Sequence, residues 1–209
     1  MKFVSLISSG IDSPVATYLL SKKSEELVLL HADNRPFTDD REIQNFIKLA
    51  KHLKKVIPSA IKTYNVPHGV ALATYKQEAE QRFTCVFCKR MLVRYAEAIA
   101  KKEHADAIIM GDSLGQVASQ TLQNIRVVDQ ASKIPILRPL IGLDKEDVVK
   151  MAKDIQTYEL SILPSDGCIA VPNKPSTMAK IDQILFEESK IDVRKLVDYA
   201  VKKAKLVDI

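Results

Sequence analysis

The apolar positions of this chain come in short runs separated by amphipathic stretches. Lys2 to Ile7 is a β-rich run and Ser8 to Ser13 a polar turn. Pro14 then sits where a helix would start, because a missing N–H costs nothing in a first turn, with Asp12 or Ser13 available as cap. Val15, Tyr18 and Leu19 continue a short helix, and Leu27 to Asp33 is apolar almost to its end, as expected of a strand covered on both faces. Ile43, Phe46, Ile47, Ala50 and Leu53 repeat at helical spacing between Asp39 and Lys55, and Ser59 to Val66 offers a third strand. A basic helix is expected from about Cys88 to Lys102, before the short strand Ala107 to Gly111. Ile134 to Leu140 is extended and broken by prolines, Asp144 caps a helix running to about Asp154, and Leu163 to Pro175 is loop-like ahead of two mixed-charge helices. This alternation predicts an open, mostly parallel α/β sheet with helices on both faces and ligands at the carboxyl ends of its strands.

Composition narrows the class. With 46% hydrophobic and 27% charged residues, 209 residues can bury one sizeable core, here read as residues 1–175 with 176–209 as a helical extension of the same domain. No apolar run approaches the roughly 20 residues that span a bilayer, so the expectation is a soluble, cytoplasmic protein without a membrane partner. The formal charge of +5 permits a polyanionic partner such as RNA without requiring one. Three cysteines in a chain without a recognisable secretion signal argue against a disulfide framework and for metal binding or catalysis.

The chemistry concentrates in a few places. Ser8 to Ser13 is a small, hydroxyl-rich, glycine-containing turn between strand and helix, suited to holding an anion on backbone N–H groups. It lacks the Gly-Lys-Ser/Thr of a Walker loop, and it could also be an ordinary turn. Cys85-Val86-Phe87-Cys88 and Ser165-Asp166-Gly167-Cys168-Ile169 hold all the thiols.

Ser8-Ser9-Gly10-Ile11-Asp12-Ser13 resembles the Ser-Gly-Gly-x-Asp-Ser signature of the PP-loop ATP pyrophosphatases, which cleave ATP between its α- and β-phosphates. The segments Gly111 to Thr121, Arg138 to Glu146 and Thr157 to Ile162 are similar, in the same order, to blocks of the tRNA 4-thiouridine synthetases within that group. The resemblance implies an adenine nucleotide alpha hydrolase-like fold and an ATP-dependent tRNA sulfurtransferase that adenylates a uridine and replaces its O4 with sulfur. Thiolation of another base, or a nucleotide-binding, RNA-associated subunit without catalysis, are the alternatives. Two positions depart from the family pattern: Ser9 stands at a usual glycine, and so does Gln156.

Carried over residue by residue, the resemblance puts pyrophosphate on Ser8, Gly10 and Ser13, with Asp12 helping to hold Mg²⁺ or the phosphates. It puts the base and ribose of ATP against Leu6, Ile7, His31, Ala32, Gly111 and Gln120. Arg90 matches a nucleotide contact and Lys145 a lysine that stabilises charge as the adenylate forms. Each has a plainer alternative: His31 closing a strand, Lys145 and Arg90 on solvated helix faces, Gln120 in a polar helix start. Cys168, 23 residues after Lys145, fits the sulfur-handling cysteine. Cys85, Cys88 and Cys168 match three ligands of an iron–sulfur cluster, a four-iron cluster with one iron free to deliver sulfide. A persulfide relay is the second choice and zinc the third, needing His68 or His104 as a fourth ligand. Partners implied are tRNA, a sulfur donor (sulfide or a cysteine desulfurase), and either a THUMP-type RNA-binding partner or a homodimer. The resemblance implies that the chain corresponds to the catalytic core of longer relatives, which also carry a THUMP region and, in some, a rhodanese domain.

Overall fold

The computed structural model describes all residues, 1–209. Its elements in chain order are β1 (Lys2–Leu6), α1 (Asp12–Ser21), β2 (Glu26–Asp33), α2 (Asp40–Val56), β3 (Ala60–Pro67), α3 (Gly69–Glu78), α4 (Thr84–Glu103), β4 (Ala107–Ile109), α5 (Leu122–Asp129), β5 (Ile136–Leu137), α6 (Lys145–Asp154), α7 (Tyr158–Ser161), α8 (Ile181–Glu188), α9 (Val193–Lys202) and β6 (Lys205–Leu206). The sheet runs β5-β4-β1-β2-β3-β6 and is parallel except for β6, which pairs antiparallel to β3.

Side chains alternate across this sheet because successive Cβ atoms point to opposite faces. Val4, Leu6, Val28 and Leu30 join residues of α3, α4, α5, α8 and α9 in one core. Phe3, Leu27 and Leu29 join α1, α2 and α6 in the other. Both faces are therefore covered, which is why β1 and β2 read as continuous apolar runs. No helix is long and apolar enough to cross a membrane.

The chain winds from β1 through β2 to β3 on one side, then returns to place β4 and β5 on the other. β1 and β4 are neighbours at this reversal, so their carboxyl ends open the crevice where such sheets bind ligands. Gly111 sets the depth of that crevice: a Cβ there would lie 2.8 Å from the Ser13 backbone, so only glycine lets the β4 exit touch the start of α1.

Several elements differ from expectation. α1 begins at Asp12, with Ile11 as N-cap and no side-chain cap bond, so neither Asp12 nor Ser13 caps it. The Ser13 hydroxyl instead accepts the Ser8 N–H at 2.9 Å, closing the loop on itself. α4 starts at Thr84 rather than near Cys88, which brings Cys85 and Cys88 into its first two turns. Asp144 is the N-cap of α6 by position, without a side-chain cap bond. α3 and β6 had no counterpart in the sequence reading.

Candidate functional site

An open cavity of about 310 Å³ lies over the carboxyl ends of β1, β2 and β4. One wall is the turn between β1 and α1, whose first helical N–H groups have no intrahelical partner and face any anion placed there. Small side chains tie the turn together. The Ser8 hydroxyl accepts the Gly10 N–H at 3.3 Å, and the Ser9 hydroxyl donates to Glu42 Oε2 at 2.6 Å. Ser9 has no positive φ, so its Cβ is accommodated without backbone strain.

Lys145, in the first turn of α6, reaches across to Asp12 with Nζ 2.5 Å from Oδ1. A carboxylate and an ammonium thus stand together at the anion end of the cleft, the pair from which a phosphate can take a cation.

At the other end, the His31 ring stacks on Phe46 at 4.1 Å with 9° between planes. Its Nδ1 lies 3.1 Å from the Ile7 carbonyl, and burial pushes its pKa down despite the nearby Glu42 and Asp33 charges. The neutral ring must donate from Nδ1 to that carbonyl, which leaves Nε2 an acceptor. Nε2 has no partner, nor do Asn34 Oδ1 and Gln120 Oε1, although all three are buried and their residues line the cavity. Buried polar atoms are rarely left unpaired, so this end of the cleft is built for a ligand with several polar edges.

Between the cleft and the thiols stands Lys89. Its ammonium lies 2.6 Å from Asp112 Oδ1, and Arg138 Nε lies 2.9 Å from the other carboxylate oxygen. Burial alone would raise the Asp112 pKa, but the Lys89 and Arg138 charges outweigh it and hold the carboxyl below its usual range. Cys85 and Cys88, which precede Lys89, share one face of α4 at a spacing of three residues. Burial, then the charges of Cys168 and Cys85, push the Cys88 thiol up to about 12, and burial followed by Cys168 raises Cys85 as well. Lys89 opposes both shifts. The three thiols are therefore close enough to act electrostatically on one another, and all three are free and partly exposed.

No group of three or more His, Cys, Asp and Glu side chains closes on a point that one metal ion could occupy. This disfavours zinc, which needs every donor within about 2.3 Å of one centre. His104 is excluded as fourth ligand by distance, since sixteen residues of α4 separate it from Cys88, about 24 Å of helix. His68 turns its Nδ1 to the Tyr95 hydroxyl at 3.1 Å. Cys85, Cys88 and Cys168 meet at no single point either, so the structure presents three neighbouring thiols rather than a preformed metal centre.

Leu6, Ile7, Ser8, Gly10, Asp12, Ser13, His31, Ala32, Gly111 and Gln120 all line the cavity. Arg90 does not. It is 2% exposed and directed away into an ion pair with Glu188 and a bond to the Val127 carbonyl. One step along the helix rotates the next side chain by about 100°, so Lys89 faces the cleft where Arg90 had been expected. Lys89 lines the cavity, as the sequence also suggests for a residue joining Cys85 and Cys88 to the nucleotide site, and Asn34, Glu42 and Asp112 line it without a signal in the sequence that assigns them there.

The family model described as Thiamine biosynthesis protein (ThiI) matches residues 1–193. A protein of Methanothermobacter thermautotrophicus named probable tRNA sulfurtransferase is 41% identical over 205 residues, covering 97% of this chain and 52% of its own length. One of the same name from Methanobrevibacter smithii is 46% identical over 186 residues, covering 88% of this chain and 48% of its own. The chain spans about half the length of the curated relatives it matches. The crystal structure of a 4-thiouridine synthetase–RNA complex with bound ATP superposes with a TM-score of 0.93 at 30% identity, over 99% of this chain and 55% of that one. An NMN synthetase from Francisella tularensis shares the fold at 16% identity and a TM-score of 0.60.

Proposed function

The chain belongs to the ThiI family, and from that premise we propose that it carries the catalytic core of an ATP-dependent tRNA sulfurtransferase making 4-thiouridine. The observation that carries the reading is the cleft with its strand-to-helix turn and, beside its lining residue Lys89, three neighbouring thiols.

ATP lies with its phosphates on the Ser8 to Ser13 turn and its adenosine toward His31, Ala32 and Gln120. His31 Nε2 accepts one polar hydrogen of the nucleoside, and Asp12 assists in holding Mg²⁺. Lys145 exchanges its Asp12 contact for a phosphate oxygen and neutralises charge as the bond between the α- and β-phosphates breaks. The uridine O4 takes the α-phosphorus, pyrophosphate leaves, and the base becomes an adenylate. A sulfur nucleophile then adds at C4, the C4–O bond breaks and AMP leaves with the former O4. Lys89 holds positive charge at the boundary the sulfur must cross, and Asp112 orients it.

Cys85, Cys88 and Cys168 would hold an iron–sulfur cluster, which when bound supplies a site for sulfide. A relay in which Cys168 carries persulfide sulfur and Cys85 or Cys88 resolves the resulting disulfide is the second reading, supported by the spacing of Cys85 and Cys88 on one helical face. Sulfide provides the sulfur at a cluster, whereas the relay takes its persulfide sulfur from a cysteine desulfurase and needs a thiol reductant to reopen the Cys168 disulfide. The tRNA is engaged together with a THUMP-type module or a second copy of the chain, because α8 carries only acidic charges and the basic residues of α9 are interleaved with Asp198, as in the exposed pair Arg194–Asp198.

The ATP chemistry has its own test. With tRNA and Mg²⁺, the protein should release AMP and pyrophosphate in a tRNA-dependent manner, and Lys145→Ala should slow this at least 100-fold. Release of ADP and orthophosphate would overturn the assignment.

A further inference from the structure

Residues 163–169, which end beside Cys168, have little regular structure of their own, yet one element holds them at several points. The Asn45 side chain, 4% exposed in α2, donates Nδ2 to the carbonyls of Leu163 and Pro164 at 3.4 and 3.3 Å. Asp39, the N-cap of α2, accepts the Glu42 N–H with Oδ1 and the Asp166 N–H with Oδ2, both at 3.3 Å. Arg41 Nη2 reaches Asp166 Oδ1 at 2.8 Å while its Nε holds Asp39. Just before the helix, the Phe37 carbonyl accepts the Ile169 N–H at 2.9 Å. These contacts bracket Cys168 on both sides.

The same helical turn faces the nucleotide. Glu42, one residue after Arg41, lines the cleft and receives the Ser9 hydroxyl of the phosphate-binding turn at 2.6 Å. α2 therefore spans the distance between the two halves of the chemistry, with a contact to each from side chains five residues apart or fewer.

We infer that the first turns of α2 are the positioning element for Cys168, with Asp39, Arg41 and Asn45 fixing the thiol-bearing loop in register with the ATP turn held through Glu42. None of these residues touches the reacting atoms; they act through the loop. The catalytic consequence rests on the sulfurtransferase reading, whereas the attachment itself does not.

The attachment is read by hydrogen exchange of the peptides covering residues 163–171 in the protein as purified. Asn45→Ala removes two hydrogen bonds, which corresponds to about a tenfold rise in loop opening. Asp166→Asn, at an exposed position where the fold is not at risk, should give about a threefold rise. The catalytic role is read by separating two steps: the sulfur-transfer rate with saturating ATP should fall at least twofold in Asn45→Ala, because the closed loop itself is held less closely in place, while the KM for ATP stays within twofold of wild type. Unchanged exchange in both variants would overturn the inference, and so would faster exchange with an undiminished transfer rate. A wild-type protein that transfers no sulfur, yet shows the variant-dependent exchange, would overturn the sulfurtransferase reading and leave α2 as the element that holds the loop.

Discussion

Gln156 sits at φ = 58°, in the left-handed region that favours glycine, and its side chain is exposed. The strain is local, and Gln156→Gly should stabilise the protein by about 1 kcal/mol, read as a higher urea midpoint with an unchanged m-value. Ser9, the other departure from the family's glycine pattern, needs no such relief, because its φ is ordinary and its hydroxyl is bonded to Glu42. His68 carries a larger consequence. It is fully buried, its Nε2 has no partner, and burial pushes its pKa down to about 4. The unfolded ring binds its proton near pH 6.5, so the unfolded state holds more protons between the two values and stability rises with pH there. The His68 contribution is complete above about pH 6.5, and about 3 kcal/mol of it is lost as pH falls to 4. Urea unfolding at pH 7.5, 5.5 and 4.5 should show this slope, and His68→Gln should flatten it.

α4 organises one side of the molecule, and its register explains what the sequence could and could not disclose. Lys89 turns toward the cleft, whereas Arg90 and Arg94 point to the opposite side and clamp Glu188 at the end of α8. Burial raises the Glu188 pKa, but the bonds from Arg90 and Arg94 outweigh it and hold the carboxyl below its usual range. Glu188→Ala strands a guanidinium that is 2% exposed, and should cost about 3 kcal/mol of unfolding free energy. Circular dichroism melts would register the loss, with exchange increased first in α8 and α9. Motif order made the phosphate-binding turn and most of the cleft legible, because backbone turns and strand ends follow chain order. The choice between Lys89 and Arg90 was not legible, since both fit a basic helix and only the packing of Glu188 from 98 residues away decides between them. α3 escaped notice because Gly69-Val70-Ala71-Leu72-Ala73-Thr74 is nearly uniformly apolar and carries no helical period. β6, two residues long on a sheet edge, leaves almost no pattern to read.

Across the whole molecule, the fold sets two features at the carboxyl ends of a parallel sheet: the Ser8 to Ser13 turn, lining a cleft at the β1–β4 reversal, and neighbouring thiols from α4 and the loop beside α2. Neither is distinctive alone. Protein prepared without oxygen and reconstituted with iron and sulfide should bind about four irons, and Cys88→Ser should abolish that binding while leaving ATP affinity within a few-fold. Stoichiometric zinc in its place would favour a mononuclear site that the donor positions do not provide. The most direct measurement is nucleoside mass spectrometry of tRNA after anaerobic incubation with the protein, ATP, Mg²⁺ and sulfide, with any separate RNA-binding partner included. The account predicts 4-thiouridine that requires ATP and falls at least 100-fold in Cys168→Ala; tRNA that stays unmodified while ATP is bound, or that gains sulfur equally well with Cys168→Ala, would contradict it.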